Sequence, residues 1–124
     1  MTFNIKWGKK VVHVKFRGIV NAQDLIDANN YLISNSEFEN IHNQIFDFLD
    51  ITDFLITKED IEIIAGMDKA QSEWNKVMKV AIVTNDIAVT EITKEYKKKM
   101  EGSGWITQIF NDAIEAQEWI LSER

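Results

Sequence analysis

Asp47, Asp50 and Asp53, spaced three residues apart, are the nearest this chain comes to a constellation with chemistry, and Asp86 follows a later apolar run in a comparable position. Carboxylates gathered where the strands of an open α/β sheet end can hold magnesium or manganese, which would make a small metal-dependent enzyme. The pattern tells against that reading: Asp47 falls in an expected strand, Asp50 and Asp53 in the expected loop Asp50 to Leu55, and no phosphate-cradling glycine loop accompanies them. Asn85 and Asp86 are also ordinary turn and cap residues. No metal, cofactor or catalytic residue is assigned.

Thr57 is the second candidate. With Asp60 three residues on, it has the spacing of a capping box, and a threonine at a helix start is a natural place for a phosphate, since the helix dipole and free N–H groups favour negative charge there. The simpler reading is a cap alone. His13 and His42 lie far apart with no metal-ligand motif and no nucleophile turn, so neither is assigned catalysis; His13 falls on the less covered side of a strand and His42 in a connector. Lys94, Lys97, Lys98 and Lys99 concentrate positive charge on one expected helix, a pattern that can meet an anionic membrane surface, although Glu91, Glu95 and Glu101 dilute it. Trp7, Trp74, Trp105 and Trp119 can line a pocket for a lipophilic ligand, but more often such residues fill the core between helix and sheet.

Composition narrows the field. The chain has 124 residues, 45% hydrophobic and 27% charged, which suits one α/β domain spanning 1–124. A net charge of -6 opposes general nucleic-acid binding. Without cysteine there is no disulfide, thiolate metal site or thiol nucleophile. The start lacks a signal-peptide apolar core, and no apolar run approaches the roughly 20 residues of a membrane span, so the chain reads as cytoplasmic.

The elements that must hold these residues follow from periodicity. Phe3, Ile5 and Trp7, then Val12, Val14 and Phe16, alternate with polar residues around Gly8-Lys9-Lys10, which predicts a β-hairpin. Asn21 is the expected cap of a helix from about Ala22 to Ile33. Three βα units follow. The first runs from the apolar strand around Ile45 and Phe48 into a helix behind Thr57, whose buried face is set by Ile61, Ile64 and Ala65 and extended by Ile63, Met67, Ala70 and Trp74. Val80 to Val83 leads to a helix with Val89, Ile92, Tyr96 and Met100 inward, ended by Gly102-Ser103-Gly104. Trp105 to Phe110 leads through an expected Asn111 cap to a last helix with Ile114, Ala116, Ile120 and Leu121 on or beside its buried stripe. Right-handed connection in sequential order would put the crossover helices on one face of a mixed sheet with one antiparallel edge strand.

The order hairpin, helix, then three βα units resembles the SpoIIAA-like family of the STAS superfamily, related in fold to anti-anti-sigma factors and sometimes described beside Sec14-type lipid-binding domains. The residues that carry the likeness are Phe16-Arg17-Gly18, Asn43 to Asp47, Lys79 to Val83, Phe110, Glu115-Ala116 and Trp119-Ile120. The resemblance implies a SpoIIAA-like, STAS-type α/β fold and a non-enzymatic regulatory or binding module for a protein partner, a lipophilic ligand or a membrane surface. In anti-anti-sigma proteins an Asp-Ser-Ser-Gly-like segment at the start of the corresponding helix carries the phosphorylated serine; here the segment reads Asp53-Phe-Leu-Ile-Thr57-Lys58, without the serine pair or the glycine. Thr57 falls near the switch position. A phosphorylation-switched regulator is thus the alternative the resemblance implies.

Overall fold

The computed structural model describes residues 2–122, which form one five-stranded sheet with strands in the order of the chain. Strands β1 (Phe3–Gly8) and β2 (Val11–Asn21) make the expected antiparallel hairpin, and helix α1 (Ala22–Ser34) leads through a 3-10 turn to β3 (Asn43–Leu55). Then come α2 (Lys58–Gln71), β4 (Met78–Val83), α3 (Ile87–Lys99), β5 (Trp105–Phe110) and α4 (Ala113–Leu121). From β2 onward every neighbouring strand pair is parallel.

Helices α1, α2 and α3 cross over on one face, where Val12, Val14, Phe16, Leu32, Ile61, Ile64, Val80, Val89 and Tyr96 share the main core. The last helix is not a crossover and takes the opposite face, packing Ala116 and Ile120 on Ile45, Ala81 and Val83. Strand β4 lies between the two layers and is buried at every residue, which is why its sequence shows no alternation.

Four expectations need correction. The segment Asp50 to Leu55 is not a loop: β3 continues to Leu55 beside the far end of β2, well beyond its last partner in β4. The stripe through Ile63, Met67, Ala70 and Trp74 faces outward, and Trp74 is 87% exposed. The buried stripe of α2 instead runs Ile61, Ile64, Ala65 and on to a charged residue, Asp68. At the end of the chain Asp112, not Asn111, caps α4, and Ile114 and Leu121 are exposed while Ala116 and Ile120 are buried.

Candidate functional site

Each helix follows a strand, so all four helix N-termini gather at the carboxyl end of the sheet, and each is already met by a short polar side chain. Asn21 and Asp24 exchange bonds of 3.0 and 2.8 Å at α1, and Thr57 and Asp60 exchange bonds of 3.2 and 2.9 Å at α2, both complete capping boxes. Asp86 Oδ1 accepts from the N–H groups of Ala88 and Val89, and Asp112 Oδ1 from those of Ile114 and Glu115. Acids are favourable there because each N-terminus carries partial positive charge. The result is an acidic rim.

Strand β3 brings the three aspartates of the sequence to one face of this rim. Residues three apart on a regular strand point to opposite faces. Two register shifts against β2 each add one residue to β3, so Asp47, Asp50 and Asp53 stand opposite Lys15, Arg17 and Ile19, which share the outer face. The cation between the first two is a lysine: Lys15 Nζ lies 3.4 Å from Asp47 and 3.2 Å from Asp50, and its bond to Asp50 raises the Lys15 pKa. Asp53 turns back to accept the N–H of Phe54, and Asp86 is occupied as a cap. No group of three or more metal-ligating side chains forms among the described residues. Apolar residues stand among these acids: Ile19 is 56%, Leu55 53% and Ile87 80% exposed.

The other sequence candidates scatter. Lys94 pairs with Glu91 at 3.5 Å, Lys99 reaches Glu62 on α2 at 3.2 Å, and Lys97 lines a groove beside β5, so the basic residues of α3 point in different directions. His13 is half-buried on the outer face of β2, where burial and then Lys6 lower its pKa against the pull of Asp47. His42 precedes β3 in the connector. Among the described residues no helix is long and apolar enough to cross a membrane.

One polar cluster escaped the reading of the sequence. Asp68 lies where the three crossover helices meet, accepting from Asn29 Nδ2 of α1 at 2.8 Å and from the Tyr96 hydroxyl of α3 at 2.6 Å. Burial pushes the Asp68 pKa up to about 6 despite both bonds, and burial with the neighbouring carboxylate holds Tyr96 well above its ordinary value. The signal was a charged residue continuing the Ile61, Ile64, Ala65 stripe. Asn29, Asp68, Thr93 and Tyr96 form the polar part of the wall of an otherwise apolar cavity under Phe46, Phe48 and Ile82. At about 60 Å³ it falls far short of the roughly 300 Å³ at which ordinary ligand pockets begin.

No family model matches the sequence, and no curated protein does. Solved structures do match over nearly the whole chain. The unphosphorylated form of the anti-sigma factor antagonist SpoIIAA is 7% identical at a TM-score of 0.65, covering 98% of this chain and 99% of that one. An anti-sigma factor antagonist from Mycobacterium paratuberculosis is 8% identical at 0.62, covering 98% and 94%. An uncharacterised protein from Shewanella loihica with a SpoIIAA-like fold is 13% identical at 0.57, covering 94% and 90%. With the hairpin, the sequential sheet and the βα units they have in common, these likenesses establish that the chain has a SpoIIAA-like, STAS-type α/β fold.

Proposed function

We propose that this chain is a non-enzymatic regulatory binding module that docks a protein partner on the carboxyl-end rim of its sheet. The observation that carries the reading is the composition of that rim: exposed Ile19, Leu55 and Ile87 among Asp50, Asp53, Glu59, Asp60 and Asp86. Such a surface fits a partner with apolar pockets in a basic setting, because opposite charge steers the encounter and buried apolar anchors hold the complex. The structural neighbours named as anti-sigma factor antagonists support a protein partner at the level of fold. The test is affinity capture from the native host with the wild-type chain, Leu55→Glu/Ile87→Glu and Lys97→Glu. A partner should be held by the wild type and by Lys97→Glu, released by added salt and lost with the double variant. Equal capture by the double variant, shown folded by circular dichroism, overturns the reading.

A second reading, a switch at Thr57, is favoured by the exposure of that residue as the cap of α2. Phosphate on Oγ1 would put about two negative charges beside Asp60, whose carboxylate accepts the Thr57 N–H, and would compete with it for the same helix terminus. Lys58 stands next to it, 3.8 Å from Glu95, as the nearest available counter-charge in sequence. SpoIIAA has been solved in a phosphorylated form, at 9% identity to this chain. Mass spectrometry of the chain after incubation with native extract and ATP should find the phosphate on Thr57 and not in Thr57→Val. A phosphate elsewhere, or none, removes this reading.

A further inference from the structure

The sheet ends at β5 in an edge that no other strand covers among the described residues. The six residues Trp105-Ile-Thr-Gln-Ile-Phe110 contain no charge and no proline, whereas the opposite edge strand carries Lys6 at its centre. Natural edges are usually blunted by lysine, proline or a bulge, because their free backbone groups otherwise pair with another chain. The direction of those groups follows from one bond: the Phe110 carbonyl accepts the N–H of Thr84 at the end of β4. Alternation then turns the backbone of residues 106, 108 and 110 toward β4 and leaves those of Trp105, Thr107 and Ile109 facing the open edge, where the Trp105 N–H is held by Ser103 Oγ at 3.3 Å.

Thr107 is the residue that marks this edge as incomplete. It is 6% exposed, lines an open groove of about 550 Å³ between α3 and β5, and its hydroxyl is buried with no hydrogen-bond partner among the described residues. A buried hydroxyl without a partner is destabilising, so such groups call for an explanation. Lys97 and Glu101 stand on the helix side of the same groove, one turn apart and opposite in charge.

We propose that a second copy of this chain completes the edge, with β5 pairing antiparallel to β5 about a twofold axis through Thr107. That register sets Thr107 against Thr107, Trp105 against Ile109 and Ile106 against Gln108, and cross-strand partners then share a face, as antiparallel pairing requires. A register centred between Thr107 and Gln108 would set Trp105, on the α3 side, against Phe110, on the α4 side, and is excluded. A turn about χ1 of Thr107 into another staggered well brings the two hydroxyls together across the axis. The axis is perpendicular to the sheet and keeps both α3 helices on one face, antiparallel across the groove. Lys97 of each copy then faces Glu101 of the other, and the charges complement themselves.

Sedimentation over a concentration series of the cysteine-free chain should resolve a monomer–dimer equilibrium. Ile106→Lys, at an exposed edge position, should weaken association at least about tenfold while leaving the circular dichroism spectrum unchanged. Lys97→Glu alone should weaken it, and Lys97→Glu/Glu101→Lys should restore it. Thr107→Cys should cross-link to itself under mild oxidation, since directly opposed hydrogen-bonded residues lie about 5.5 Å apart at Cα, within disulfide reach, whereas Gln108→Cys should not. A monomer at every concentration overturns the proposal. So does a dimer indifferent to Ile106→Lys, or a Thr107→Cys chain that cross-links in host extract to a different polypeptide and never to itself.

Discussion

Asp68 pays its desolvation cost only when ionised, so its effect on stability has a sign that can be worked out. Its native pKa is raised from 3.8 to about 6, so between these values the folded chain binds more protons than the unfolded one. Stability therefore falls as pH rises through that window and levels off above it. Relative to Asp68→Asn, the wild type should lose on the order of 2 kcal/mol between pH 4 and 7, measured as the difference between their urea unfolding curves. A difference that does not change with pH would mean that Asp68 titrates normally. At this scale the sequence was legible where the interaction is local. The caps Asn21 and Thr57 each need only a residue three positions on, and both form as their spacing predicts. The Asn29–Asp68–Tyr96 cluster needs three helices brought together, 39 and 28 residues apart along the chain, which periodicity within one helix cannot reveal.

Elements were legible in kind and less so in extent. The register of β3 depends on β2, some 30 residues earlier, and its far half has a strand partner only there, so a run rich in aspartate reads locally as a loop. Trp74 misled for a related reason. Helical spacing linked it to Ile63 and Met67, but α2 ends at Gln71 and the stripe it continues is the outer one. The turn into β5 shows what a close approach between elements demands. Gly104 lies against the backbone of Lys76, and a methyl group there would overlap the Lys76 carbonyl. The same corner is fixed by Trp105 Nε1, which donates to the Asn75 carbonyl at 2.7 Å. Gly104→Ala should therefore cost about 1 to 3 kcal/mol in chemical denaturation, as overpacking does, although alanine is otherwise the more easily ordered residue. A neutral effect would show that the corner yields freely.

Over the whole molecule the sequential strand order and the shared face of the three crossover helices follow from right-handed connection, which is why they could be foreseen from the order of elements alone. The side taken by α4 could not, because among the described residues α4 joins no second strand that would impose a hand. Among the described residues it is anchored by Ala116 and Ile120 on the sheet, by Trp119 against Phe110, and by Lys79, a buried lysine of β4. Lys79 Nζ donates to the carbonyls of Trp119 and Ser122 at 2.8 and 2.7 Å, a cation set against the negative end of the helix, and lies 5.2 Å from the centre of the Trp119 ring.

That arrangement divides the protein into parts that open on different occasions. The sheet is held by long-range pairing and by the larger core, whereas α4 can lift away without breaking a single strand pair. Native-state hydrogen exchange should therefore find two tiers, with the amides of α4 exchanging through a partial opening cheaper than global unfolding and those of β4 only through the latter. Lys79→Met keeps the length of the side chain and removes its donors. It should lower protection in α4 by about 1 to 3 kcal/mol, more than it lowers protection in α3. Equal losses in both helices would mean that the chain opens as one unit.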